Sequence, residues 1–172
     1  MLTDCALRRV VRCAMTHGDR GCIGIRCERT AGAPLMSYYE RPSMGSWNVD
    51  TSTPGLLRLT LEGRLSCEEM SAFVTAHNRA IDAFGASDYK VWCDLSRMLT
   101  LDQECVRLFE RAKLYSNSHK NFRGSAVLVA SALIAAQHRR TSLDGGVMST
   151  ELISQDVKAL EQHLRTVYRQ SE

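Results

Sequence analysis

Residues 94–112, DLSRMLTLDQECVRLFERA, decide how the chain is read. The run that leads into them, Tyr89 to Leu95, is mostly apolar and strand-like, and it ends at Asp94-Leu95-Ser96. Four residues after Ser96, Thr100 stands at capping-box spacing from Gln103, and Cys105, Leu108, Phe109 and Ala112 then recur along one helical stripe. The stretch therefore predicts a strand, a short loop and a helix that ends near Ser116 to His119. Free backbone N–H groups at the mouth of such a helix often carry phosphate chemistry. Here that mouth holds Asp102, Gln103 and Glu104, and none of them has a hydroxyl.

The same periodicities extend on both sides. Upstream, Trp47, Val49 and Thr51 alternate with Asn48 and Asp50, Pro54-Gly55 supplies a turn, and Leu57, Leu59 and Leu61 alternate with Arg58, Thr60 and Glu62. This pattern predicts an antiparallel pair with one wet face. Ser66 and Glu69 form a capping box ahead of a stripe of Met70, Phe73, Val74, His77, Ile81 and Phe84, and Gly85 closes that helix. Downstream, Ala126 to Ala130 has no polar alternation, as expected of a strand covered on both faces. A short helix over 132–140, a Gly145-Gly146 turn and a strand over 147–152 follow. Ser154 is placed to cap a last helix carrying Val157, Leu160, Leu164 and Val167. Strands joined by helices of this length are normally parallel with right-handed crossovers. The expected fold is a single α/β domain over 45–168, with a mixed, mostly parallel sheet of four or five strands and about four helices.

Composition bounds the function. Of 172 residues, 44% are apolar, enough for a real core, and the net charge is +3. Residues 1–44 hold seven arginines against four acidic residues, whereas the remainder holds 15 basic and 15 acidic residues. The body thus has no field that would collect nucleic acid. No run of about 18 apolar residues offers a membrane span.

Residues 1–44 lack periodicity and read as disordered, or as an extension upstream of a true start at Met36 or Met44. Residues 169–172 read as a tail. Cys5, Cys13, Cys22 and Cys27 with His17 raise a zinc reading, but their gaps contain no CxxC knuckle, so neither metal nor cofactor is expected. An odd cysteine total and the lack of an apolar signal core point to a reducing cytoplasm.

Asp94-Leu95-Ser96 followed by Asp102 at a helix start resembles the strand-end DLS and helix-opening DSSG of STAS domains, the family of anti-sigma-factor antagonists. Gly124 to Val129, and Ser149 to Ser154 running on to Leu164, resemble the SpoIIAA-like branch of that superfamily, and the likeness covers about residues 46–166. The resemblance implies a protein-binding regulatory module without enzymatic activity. In that family a serine at the helix opening is phosphorylated, and the added charge switches partner binding. Here Gln103 and Glu104 stand where the two serines belong, and Cys105 replaces the glycine. Thr100, as the expected helix cap, would have its oxygen occupied by a backbone donor. The resemblance thus implies the scaffold without the switch, and a partner surface of Asp94, Ser96, Thr100, Asp102, Gln103 and Glu104. Glu104 either imitates part of a phosphate's charge or simply favours the helix dipole by about 0.3–1 kcal/mol.

Three further features carry expectations of their own. His119, Lys120 and Arg123, with His138, Arg139 and Arg140, are expected at helix carboxyl ends along one edge of the sheet as a small basic rim. Trp47, on an edge strand, is either core or a partner anchor, and edge pairing offers a route to a homodimer. Cys93 and Cys105 read as core residues. A small apolar or lipid-like ligand is the alternative function, and a cysteine-dependent enzyme the weakest one.

Overall fold

The computed structural model describes residues 44–167. The expectations for residues 1–43 and for the 169–172 tail lie outside the described residues. Nine elements follow in order: β1 (Met44–Asp50), β2 (Leu56–Arg64), α1 (Cys67–Asp82), β3 (Tyr89–Leu95), α2 (Gln103–Ser118), β4 (Phe122–Val129), α3 (Ala132–Asp144), β5 (Glu151–Ser154) and α4 (Val157–Thr166). The five strands form one sheet in sequence order. β1 runs antiparallel to β2, with Trp47 opposite Leu61, and the other neighbours are parallel. The expected α/β class, mixed sheet and four helices are all present.

Alternation along the strands divides the core. Leu57, Leu59 and Leu61 of β2, Val91 and Cys93 of β3 and Val127 of β4 are buried in one cluster with Met70, Phe73 and Ile81 of α1 and Phe109 of α2. Burial of each such large side chain contributes about 1.5–3 kcal/mol. The intervening residues face the other side of the sheet, where α4 lies. There Lys90 donates to the carbonyl of Leu164. Gly124, at φ +147, comes so close to α4 that a Cβ would stand 2.7 Å from the Val167 side chain. Glycine is required at that contact.

The predicted capping box of α1 is present in both directions. Ser66 Oγ accepts from the Glu69 amide at 3.2 Å, and the Glu69 carboxylate accepts from the Ser66 amide at 2.8 Å. The stripe behind it buries Met70, Phe73, His77 and Ile81. Trp47 is half-buried and meets Phe73 edge-on at 6.0 Å, so it packs against the core under α1.

Four boundaries differ from the sequence reading. Asp102, not Thr100, caps α2, because the chain stays extended through Leu101, which is buried. α3 continues past Arg140 to Asp144: Thr141 and Ser142 turn inward and donate to the His138 carbonyl at 2.8 and 2.6 Å, which lets polar residues extend a buried helix face. β5 begins at Glu151 and not at Val147, since Val147 drops into the core and its carbonyl accepts from Thr150 N in a turn. α4 is capped by Asp156, which accepts from Lys158 N and Ala159 N, while Ser154 belongs to β5.

Candidate functional site

The segment 94–104 is held from three sides. Its first turn is local: Asp94 Oδ1 accepts from Ser96 N at 2.9 Å. Its middle pairs with the end of β2, where Gly63 N donates to Arg97 O at 2.9 Å and Leu99 N donates to Gly63 O at 2.8 Å. Gly63 sits at φ +66, and a Cβ on it would lie 2.0 Å from the Met44 carbonyl, so only glycine lets β1 and the loop flank β2 together. Arg97 also forms an ion pair with Glu62. The third hold comes from α3. Gln137 accepts from Leu101 N at 3.1 Å and donates to Leu101 O at 2.9 Å. Buried Met98 and Leu101 plug the loop into the core.

Asp102 ends the loop and opens the helix. Its Oδ1 accepts from Cys105 N at 2.8 Å. That backbone bond holds the carboxyl below the usual aspartate range. Gln103 and Glu104 follow, both exposed. Thr100 is exposed and does not cap the helix, so its hydroxyl is not occupied in the way the sequence predicts. Ser96 is half-buried, as is Asp94. Of the six residues expected to form the surface, Asp94 lies at the end of β3, Ser96 and Thr100 in the loop, and Asp102, Gln103 and Glu104 at the helix mouth.

The sequence reading did not foresee Cys67. As the first residue of α1, it places its Sγ 3.3 Å from that of Cys105. Its Sγ also lies 3.8 and 4.0 Å from the two Asp102 carboxylate oxygens. Hydrogen bonding with Cys105 pulls the Cys67 pKa down, but burial and the charges of Asp102 and Glu104 outweigh it and leave the thiol above its ordinary value. Burial, then the Cys67 thiol and Asp102, push Cys105 up more strongly. Gln137 was also missed, since a half-buried glutamine on a weakly amphipathic helix carries no sequence signal of its partner.

His138 does not belong to the expected basic rim. His138 lies mid-helix and wholly buried, edge-on to Phe109 at 4.7 Å. Neither of its ring nitrogens has a hydrogen-bond partner among the described residues. Burial, with the charge of Lys113, pushes its pKa down to about 3. Arg123 pairs with Asp88 at 2.6 Å, and His119 Nδ1 donates to the Tyr115 carbonyl at 2.8 Å. Lys120, Arg139 and Arg140 are exposed, but the last two sit inside α3 because that helix runs on to Asp144. The cause is helix phase: a residue assigned to a helix end points outward, whereas a mid-helix residue on the inner stripe points in.

Comparison with solved structures places this architecture. The anti-sigma factor antagonist SpoIIAA in its unphosphorylated form matches with a TM-score of 0.50 at 14% identity, over 72% of this chain and 100% of that one. An anti-sigma factor antagonist from Mycobacterium paratuberculosis matches with a TM-score of 0.51 at 15% identity, over 73% and 97%. The chain has the SpoIIAA-like fold. An uncharacterized protein of Shewanella loihica, also SpoIIAA-like, matches with a TM-score of 0.49 at 13% identity, over 69% and 91%. No family model and no curated protein matches the sequence. At these identities the SpoIIAA-like likeness is one of fold. Among the described residues, no helix is long and apolar enough to cross a membrane.

Proposed function

We propose that this SpoIIAA-like domain is a non-enzymatic, cytoplasmic protein-binding module that docks a partner at the 94–104 corner without a phosphorylation switch at the helix mouth. The observation that carries the reading is a conjunction of exposed aliphatic and acidic groups on a rigid support. Leu99 in the loop is 49% exposed and Leu133 on α3 is 66% exposed. Leu133 precedes by one helical turn the Gln137 that binds Leu101, and Leu99 lies two residues before Leu101 in the loop that leads into Asp102 and Glu104. Exposed apolar groups rimmed by charge are the usual composition of a docking patch. The two solved antagonists with this fold are named for acting on a protein partner, which supports the same class of function here.

The other two readings draw less support. Among the described residues, a cavity in the core has a volume of about 30 Å³. That is room for about one water, far short of a lipid chain. Cys93 is wholly buried and its thiol pKa is pushed far up by burial, the opposite of an activated nucleophile.

A pull-down from the source cells, run with the natural chain and with an Asp102→Ala, Glu104→Ala variant, tests the proposal. A partner retained by the first and lost by the folded variant is the expected result, and an identical set of partners would remove the corner from consideration. Because the Thr100 hydroxyl is exposed, phosphate on Thr100 or Ser96 of native material, with altered complex formation, would overturn the absence of a switch.

A further inference from the structure

The openings of α1 and α2 meet beside the docking corner, and chemistry that partner binding does not require is concentrated there. Cys67 and Cys105 lie 38 residues apart in sequence, too far for a knuckle motif, yet their sulfurs are 3.3 Å apart. Asp102 joins them, and the donor atoms of all three residues lie within 4.8 Å of one another. Glu104 acts on the Cys67 thiol from the exposed side.

We propose that Cys67, Cys105 and Asp102 bind a thiophilic d10 divalent cation of the zinc class, with the fourth position of its tetrahedron facing solvent and Glu104. Two thiolates and a carboxylate are within the ordinary zinc donor set. Bond lengths of about 2.3 Å to sulfur and about 2.1 Å to oxygen put tetrahedral ligands roughly 3.8 Å apart for two sulfurs and roughly 3.6 Å apart for sulfur and oxygen. The sulfur pair at 3.3 Å needs to open by about half an ångström, and Asp102 Oδ2, at 4.0 Å from Cys67 Sγ, needs to close by about 0.4 Å. A disulfide, at about 2.05 Å, asks the same sulfurs to close by more than an ångström. Asp102 keeps its cap through Oδ1, which leaves Oδ2 to the ion. The helix mouths favour the thiolates once they form. A thiol gives up its proton to ligate, so the ion displaces two protons as it binds.

The test uses the full chain with Cys5, Cys13, Cys22 and Cys27 changed to serine, so that the amino-terminal thiols contribute nothing, kept reduced with a phosphine. Titration with Co2+ is expected to give thiolate charge-transfer and tetrahedral d–d absorption saturating at one ion per chain, reversed by Zn2+. Calorimetry in buffers of different ionisation enthalpy is expected to show two protons released per zinc. Cys67→Ser, at a half-exposed helix start where folding survives, is expected to weaken binding more than about 100-fold, beyond the effect of an outer-shell residue. Cys93→Ser is expected to leave it unchanged. Failure of the charge-transfer band to appear, affinity undiminished in folded Cys67→Ser, or a Cys67–Cys105 disulfide with no metal uptake by the reduced protein would each overturn the assignment.

Discussion

Lys113 Nζ and Glu151 Oε2 form an ion pair at 2.8 Å inside the core, with side-chain exposures of only 9% and 3%. Two buried serines complete the arrangement: Ser142 Oγ accepts from Lys113 at 2.8 Å, and Ser125 Oγ donates to Glu151 Oε1 at 2.9 Å. The lysine also donates to the His138 carbonyl. The network ties α2, α3, β4 and β5 together at one point.

Removing one partner strands the other as a buried charge. Lys113→Met is therefore expected to cost about 3–5 kcal/mol in urea unfolding, whereas Lys113→Met with Glu151→Leu should recover most of that loss. Additive losses in the double variant would show that the pair contributes net stability.

His138 sets a pH dependence. Its pKa is near 6.5 in the unfolded chain and about 3 in the fold, so the unfolded chain binds the proton first. Stability is fully present above pH 6.5 and is lost as pH falls from about 6.5 toward 3. Burial lowers the His77 pKa, which acts in the same direction. His138→Phe is expected to flatten the unfolding free energy across that window, and an unchanged slope would assign the loss to other groups.

The cap of α2 separates Asp102 from Thr100. Asp102→Ala is expected to cost about 0.5–2 kcal/mol and Asp102→Asn much less, since asparagine caps comparably. Thr100→Ala should stay within about 0.5 kcal/mol. Thermal unfolding of the three variants checks the order, and a Thr100 effect as large as the Asp102 effect would restore the cap predicted from sequence.

Gly63 is the hinge of the loop's second hold. Gly63→Ala meets both a positive φ and a backbone carbonyl, and is expected to destabilise by more than about 1 kcal/mol. Amide exchange at Leu99 should accelerate in step. Protection retained at Leu99 would mean that the other two holds suffice.

The fold was legible because its signals are local and mutually consistent: alternation at Leu57, Leu59 and Leu61, the Ser66–Glu69 box, and the unbroken apolar run at Ala126–Ala130. The corner was legible as a segment for the same reason. What escaped was pairwise chemistry across long separations. Nothing in one sequence says that Cys67 and Cys105 touch, that Lys113 on an inner stripe meets Glu151 in a strand, or that Gln137 faces Leu101. The position of Lys113 four residues after Phe109 was an available sign of inward orientation, as was the continuation of His138 from Ile134 along one face. The misplaced cap had another cause: Thr100 and Asp102 are both good capping residues, and the burial of Leu101 between them made the choice.

Gln137 grips the amide and the carbonyl of a single residue, Leu101, from a different helix. Leu101 is therefore fixed to α3, just as its neighbours Arg97 and Leu99 are fixed to the end of β2. A partner seated at this corner therefore meets a main chain whose course is already set before it arrives.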